Sequence, residues 1–300
     1  MPQLKSILKN AYKTSLRPYY WVRTSWPFWF YILNSEGRRL HQADAVSLDD
    51  VQLKVSKSLK ENGYALTHID ELFPGQNLLP LLQAEAEKYK DRAEATQKRK
   101  EYFKQLFDLN PAVDLENPFV KLALEDKILR IVNSYFGVYS KFTYFGLDLV
   151  EPVGDAKPVS SQTWHRDPED KRMCTMFLYL CDVDEQTGPL HYVAGSNYGN
   201  KYGRIFPQKP PRGYYPPEGA VEDAVKPEDI KVLTCKVGSI VFCDTAGLHK
   251  GGYAKSKQRL AFSSRYISKA GFMHDRLVYP PDFKEKNRTL NPVAKYALNR

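Results

Sequence analysis

"VGSIVFCDTAGLHKGGYAKSKQRLAFSSRY", residues 237–266, holds two runs of branched and aromatic residues on either side of a glycine-rich stretch. Runs of this kind, bounded by turn-forming residues, read as short β-strands. Residues 231–245 contain two such strands around a Val237-Gly238 turn, and residues 258–268 contain another. The texture upstream is the same. "KFTYFGLDLVEP" (141–152) and "KRMCTMFLYLCDV" (171–183) have strand character, and "GPLHYVAGSN" (188–197) reads as a turn followed by a strand. Several short strands separated by turns predict a β-sandwich or barrel from about residue 140 onward.

The chain before residue 140 has a different pattern. Ser47, with Asp50 three residues on, resembles a capping box at the start of "SLDDVQLKVSKSLKENG", and Asn62-Gly63 ends that helix. "YALTHI" (64–69) reads as a short strand, and residues 76–108 are rich in helix formers. Asn117-Pro118 opens a further helix that runs to about Tyr135 and closes at Gly137. The expected organisation is an N-terminal arm (1–46) and a single domain (47–300). Within that domain a helical support (47–139) surrounds a β core (140–268), and residues 269–300 form a tail. Residues 198–230, rich in proline and tyrosine, are a strandless insert of the kind that serves as a binding loop or lid.

Composition narrows the function. A chain that is 42% hydrophobic and 26% charged suits a soluble globular protein. The net charge of +9 admits nucleic acid, an anionic membrane or an anionic substrate as partner. No zinc-finger spacing, RNA-binding signature or long basic tract is present, so the charge reads as a solvated basic surface and no nucleic-acid partner is expected. Cys174, Cys181, Cys235 and Cys243 form no CxxC pair and lie in apolar runs, which predicts free thiols and a reducing compartment. The first residues lack a signal-peptide core and "WPFWFYIL" (26–33) is too short to span a bilayer, so a cytoplasmic location is expected. Residues 1–34 carry five basic residues and no acidic one, with Leu4, Ile7, Leu8 and Leu16 roughly on one helical face and Trp21, Trp26, Trp29 and Phe30 following. Two readings of this arm stay open: peripheral contact with a membrane, or packing of its apolar face on the main domain.

The chemistry centres on "TWHRDPEDKRM", residues 163–173. His165 and Asp167 stand two apart ahead of a strand, a spacing that points both side chains the same way. His249 follows the strand "SIVFCDT", and in a barrel two strand ends distant in sequence can meet at one mouth. Two imidazoles and one carboxylate leave three open positions on an octahedral ion, as in non-haem Fe(II) oxygenases. Arg259, at the start of the last strong strand, can grip a carboxylate with two parallel hydrogen bonds. Iron needs electrons to activate O2, and 2-oxoglutarate supplies two on decarboxylation while its distal carboxylate needs such an anchor. Arg166 is expected to face outward between the two ligands. With Glu169 and Asp170 it is taken as the solvated part of the loop, and His191 as a satisfied polar residue.

"TWHRD", "CTMFLYLCDVDEQTGPLHYVAGSN" and the opening stretch resemble the phytanoyl-CoA dioxygenase family of Fe(II)/2-oxoglutarate oxygenases, and "KENGYALTHIDELFP" resembles an early strand of that family. The resemblance covers roughly residues 56–268. It implies a mainly β fold with flanking α-helices, the double-stranded β-helix (a jelly-roll, cupin-like barrel). It implies His165, Asp167 and His249 as iron ligands and Arg259 as the 2-oxoglutarate anchor. Thr175, Phe177 and Tyr179 alternate on one side of their strand, which by the resemblance lines the pocket: Thr175 or Tyr179 to hydrogen-bond the cosubstrate, Phe177 to wall it, with ordinary core as the other reading. The implied reaction is hydroxylation of a small-molecule or lipid-like substrate by O2, with 2-oxoglutarate converted to succinate and CO2. Halogenating relatives have a small residue where Asp167 stands, so its carboxylate favours hydroxylation. Two departures from the family pattern stand out: "VAGSN", where many members have proline and histidine, and Gly251, where many have a polar residue. A non-catalytic jelly-roll binding module and a membrane-peripheral adaptor are the alternatives.

Overall fold

Among the residues described in the computed structural model (15, 17–44, 47–90, 98–100, 103–154, 156–210, 213–272 and 277–299), ten strands form two antiparallel sheets. They are Tyr64–His68 (β1), Lys98–Lys100 (β2), Phe103–Gln105 (β3), Lys141–Val150 (β4), Met173–Tyr179 (β5), Leu190–Val193 (β6), Ile230–Leu233 (β7), Ser239–Cys243 (β8), His249–Lys250 (β9) and Arg259–Ile267 (β10). The larger sheet runs β1-β8-β5-β10-β4-β3-β2 and the smaller β7-β6-β9. A bridge between His165 and His249 adds the histidine-aspartate segment beside β9. In the larger sheet the neighbours β1-β8-β5-β10-β4 come from distant parts of the chain, which is the winding of a double-stranded β-helix. The hydrogen bonding makes two facing sheets, not one closed ring.

Side-chain alternation explains the apolar runs of the central strands. On β5, Cys174, Met176 and Leu178 join Ile240, Phe242, Leu260 and Phe262 in a core shared with the helices. On the other face Tyr179, Val241, Cys243 and Ala261 pack with Leu190, Tyr192 and Leu233 of the smaller sheet. A sheet covered on both faces needs apolar residues at consecutive positions, not at every second one. All four cysteines are free; Cys174 and Cys243 are buried and the other two are partly so.

The helices cover the outer face of the large sheet. Asp126–Phe136 buries Ile128, Leu129, Ile131, Val132, Tyr135 and Phe136. At about 1.5–3 kcal/mol for each fully buried large side chain, packing outweighs the modest helix propensity of its branched residues. The helix Asp50–Asn62 is capped by Asp49, not Ser47. The Asp49 carboxylate accepts from Gln52 N at 2.9 Å, and Gln52 Oε1 accepts from Asp49 N at 2.9 Å. Gln52 Nε2 also donates to Lys127 O at 3.1 Å, which favours this register. Gly63 ends the helix at φ +83°. Asn117 caps Pro118–Ala123 as expected, but Glu125 leaves helical geometry (φ −55°, ψ 136°) and divides the expected helix in two. Among the described residues of 76–108, helix covers Leu78–Lys90. β2 and β3 follow and extend the sheet, because Phe103–Gln105 finds the free edge of β4.

Before β7, the insert 198–230 holds a bridge from Tyr214 to Arg166 and the short helix Ala220–Ala224. Tyr202, Val221 and Val225 pack it against Trp164, Val193 and Leu248. The arm forms helical turns over Arg17–Thr24, Phe28–Leu33 and Ser35–Ala43 and packs one side on the domain. Buried Trp29 donates its indole N–H to Asp170 Oδ1 at 2.6 Å, Lys171 Nζ donates to Thr24 O at 2.6 Å, and Arg23 Nη2 donates to Ala270 O at 2.9 Å. Residues 1–14 and 16, part of the expected amphipathic segment, lie outside the described residues.

Asp244, just after β8, ties the helices to the sheet. It accepts from Met173 N at 3.1 Å, from Ala246 N at 2.9 Å and from the Tyr135 hydroxyl. Complete burial pushes its pKa from 3.8 up to about 6. A carboxyl that holds its proton more tightly when folded adds no penalty below 3.8; the penalty grows through that window and is complete above the folded value. Asp244→Asn carries no such penalty. Urea unfolding should show the variant gaining on the parent by on the order of 3 kcal/mol between about pH 4 and about pH 7. A difference that stays constant with pH would remove Asp244 as the cause.

Candidate metal centre

The site begins with a backbone pairing. His165 N donates to His249 O at 2.9 Å and His249 N donates to His165 O at 3.1 Å. This reciprocal pair brings the two imidazoles together, with ring centroids 4.1 Å apart. Asp167 N donates to Thr245 O at 2.9 Å, so the acid runs along the same edge. His165 Nδ1 lies 2.9 Å from Thr163 O, and His249 Nδ1 lies 3.1 Å from Gly247 O. Only a protonated Nδ1 can bond a carbonyl, so in the neutral rings these contacts select the tautomer whose Nε2 can ligate. One ligand atom from each of His165, Asp167 and His249 falls within 4.8 Å of the other two.

The electrostatics suit a ligand set. Burial, reinforced by the neighbouring His165, pushes the His249 pKa down to about 3, so its imidazole is neutral near pH 7. Burial opposes the charge on Asp167, but His249, Arg265 and His165 outweigh it and hold the carboxyl below its usual range. Arg265 Nη2 lies 3.9 Å from Asp167 Oδ2, and its Nη1 donates to Glu169 Oε1 at 2.8 Å. Burial and then the nearby Asp167 raise the Glu169 pKa.

These groups line a cavity of about 380 Å³, within the usual span of small-molecule sites at roughly 300–1,000 Å³. Thr175, Phe177 and Tyr179 of β5 line it, as do Arg259, Ala261, Ser263 and Arg265 of β10. The pairs Ala261–Tyr179, Ser263–Phe177 and Arg265–Thr175 set the two rows side by side. Arg259 Nη1 is buried there without a hydrogen-bond partner. Tyr215 of the insert stacks on the His165 ring at 5.3 Å and 12°. All seven residues singled out from the sequence therefore face one cavity. His191 does not line it. That imidazole is half-buried, edge-on to Trp164 at 6.4 Å, and burial with Lys250 lowers its pKa to about 4.

The two departures from the family pattern have local accommodations. In "VAGSN", Ser196 Oγ accepts from Leu248 N at 2.8 Å and Asn197 Nδ2 donates to Leu59 O at 3.0 Å, which fixes the loop. At Gly251 the backbone N–H donates to Ser161 O at 2.7 Å, and Ser160 and Ser161 line the cavity beside it. The next residue must be glycine: a Cβ on Gly252 would sit 2.0 Å from Pro189 O.

Three loop residues differ from the sequence expectation. Arg166 points away from His165 and Asp167 but is buried, not outward in solvent. Its Nη1 donates to Ser196 O and Ala246 O, both at 2.7 Å, and its Nη2 donates to Tyr202 O at 3.0 Å and Ile205 O at 3.1 Å. Burial lowers its pKa to about 10, which still leaves it charged at neutral pH. Glu169 and Asp170 are also buried, the first paired with Arg265 and the second accepting from Trp29 and from Ser268 N at 2.6 Å. The insert and the arm cover this loop, so its charged composition does not mark a solvated surface.

Residues 59–261 match the profile of the phytanoyl-CoA dioxygenase (PhyH) family. The chain belongs to that family. The phytanoyl-CoA dioxygenase fold recurs in solved structures of low identity. The epimerase SnoN, in complex with Fe3+, alpha ketoglutarate and nogalamycin RO, aligns with a TM-score of 0.54 at 14% identity over 75% of this chain and 87% of its own. EctD from S. alaskensis with bound Fe gives 0.52 at 16% identity over 80% and 84%. HygX from Streptomyces hygroscopicus, with nickel, 2-oxoglutarate and hygromycin B bound, gives 0.51 at 17% identity over 76% and 90%. No curated protein matches the chain. At these identities the likeness concerns the fold.

Arg265, Glu169 and Tyr215 line the same cavity as His165, Asp167 and His249 without having been singled out from the sequence as site residues. Arg265 had a signal: it stands an even number of residues from Arg259 on one strand and so shares its face. Tyr215 had none beyond its place in the insert.

The four carbonyls held by Arg166 predict a structural role. Arg166→Met should lower unfolding stability by about 3 kcal/mol or more, and Arg166→Lys by less, because an ammonium cannot reach all four oxygens. A loss under about 0.5 kcal/mol for Arg166→Met in urea titrations would contradict this.

Proposed function

We propose that this phytanoyl-CoA dioxygenase family member is an Fe(II)- and 2-oxoglutarate-dependent dioxygenase that hydroxylates a small-molecule or lipid-like substrate. One observation carries the reading. Two imidazole Nε2 atoms and a carboxylate converge in a cavity that also holds a buried guanidinium nitrogen with no partner. The donor set fits ferrous iron, since two nitrogens and one oxygen on one face leave open positions. The lone Arg259 Nη1 fits the distal carboxylate of 2-oxoglutarate, because a buried guanidinium donor calls for an acceptor.

In this reading His165, Asp167 and His249 hold the iron and Arg259 binds and orients the cosubstrate. Thr175 or Tyr179 adds a hydrogen bond, and burial keeps the Tyr179 hydroxyl protonated as a donor. Phe177 and Tyr215 wall the site against water. Arg265 attracts Asp167 Oδ2, which leaves Oδ1, 3.7 Å from His165 Nε2, as the ligand atom. When bound, iron with 2-oxoglutarate activates O2 as the cosubstrate is decarboxylated to succinate and CO2. The carboxylate of Asp167 leaves no ligand position for a halide, which favours oxygen transfer.

The first test is spectroscopic. Fe(II) and 2-oxoglutarate added without oxygen should give a visible charge-transfer band in the parent and none in the His165→Ala/His249→Ala double variant. Succinate release that persists in the double variant would end the proposal. Arg259→Met should raise the 2-oxoglutarate requirement by roughly 10- to 100-fold, from about 1.5–3 kcal/mol for a charged hydrogen bond, while Fe(II) binding holds. A product heavier by one oxygen atom supports hydroxylation. An isomeric product of unchanged mass would replace it with epimerisation on the same cofactors.

A further inference from the structure

The arm has a face that the domain does not cover. Backbone bonding runs on between its first two helical stretches: Ser25 N donates to Trp21 O at 3.0 Å and Trp29 N donates to Ser25 O at 2.9 Å. Residues 17–33 thus form a helical rod with a bend at Ser25. Its inner side carries Trp26, Trp29, Phe30 and Leu33, which pack on the core, and Arg23, which bonds Ala270. Trp21, Phe28 and Ile32 stay outside this packing, the last two about one turn apart on the π-helical stretch Phe28–Leu33. Trp21 is 74% exposed, Ile32 60% and Phe28 36%. Tyr31 is also exposed, as are Val22 and Tyr19, the last beside Arg23, whose Nη1 donates to its hydroxyl at 2.7 Å. Six large apolar side chains are therefore held in water within fourteen residues by a rod whose opposite side is anchored. Scattered exposed apolar residues need no explanation, but a cluster of them does.

Charge identifies what would cover it. The first 43 residues hold seven cations (Lys5, Lys9, Lys13, Arg17, Arg23, Arg38 and Arg39) against the single acid Glu36, which pairs with Lys269 at 2.8 Å. That is six of the net nine positive charges. This charge belongs to the segment that holds the exposed face in sequence, so an anionic partner suits it better than a second copy of the same basic segment. An anionic bilayer meets both features: tryptophan and tyrosine settle at the headgroup level, and each nearby cation adds about 1 kcal/mol. No described helix is long and apolar enough to cross a membrane, so the rod would lie on the surface.

We infer that the outer face of residues 17–33 is a docking surface for an anionic lipid bilayer. The inference stands apart from the proposed reaction. The full chain should sediment with vesicles of phosphatidylcholine and phosphatidylserine, more weakly with phosphatidylcholine alone, and less as salt rises. The triple variant Trp21→Gln/Phe28→Gln/Ile32→Gln should bind the mixed vesicles at least about 30-fold more weakly, and Trp21→Gln alone several-fold, with circular dichroism and unfolding midpoint unchanged. Three outcomes overturn it: no sedimentation with either vesicle, equal binding to both, or a solution dimer of the parent that the triple variant dissolves.

Discussion

Two backbone hydrogen bonds between His165 and His249 hold the candidate centre together. They pair residues far apart in the chain and fix the separation of the imidazoles before any ligand contributes. The smaller sheet depends on the same pairing, since β9 lies between β6 and the histidine-aspartate segment. Carbonyls two residues upstream then orient each ring. Backbone geometry thus sets both the position and the tautomer of these rings, which is the condition for a site that need not rearrange to bind a metal.

Buried charge concentrates around this pairing. Arg166 lies on one side of the segment and Arg265 on the other, so the loop from His165 to Asp170 runs between two guanidinium groups. Arg166 engages neutral carbonyls and fastens the insert, whereas Arg265 engages Asp167 and Glu169. Buried ions are tolerated where each has a partner, because desolvation costs several kcal/mol otherwise. Gln208 reinforces the arrangement by donating to the carbonyls of Asp167 and Asp170. The insert therefore belongs to the wall of the loop that carries the acid.

Much of this was legible in the sequence, and the gaps follow physical lines. Strand positions and the convergence of His165, Asp167 and His249 could be read because they rest on side-chain alternation and chemistry. Gly63 and Gly137 were readable as helix ends because both adopt left-handed backbone. Arg166 was misread for a specific reason. Alternation says which way a side chain points relative to its neighbours, but not what lies on that side. Here it was four carbonyls from residues 196 to 246. The choice of Asp49 over Ser47 rests on contacts to a helix some 75 residues away. The strands after Leu78–Lys90 form against the edge of β4, which local composition does not reveal.

The bond between Trp29 and Asp170 sets a distance. Asp170 lies three residues beyond Asp167, and Trp29 reaches it from the inner side of the rod that bears Trp21, Phe28 and Ile32 on its outer side. Whatever covers the outer side therefore sits about one helix diameter, roughly 10 Å, from the loop that carries the acid. The rod works as a spacer of fixed thickness: it sets a constant distance between its outer side and the loop, and Lys171, bonded to Thr24 five residues before Trp29, fastens it a second time.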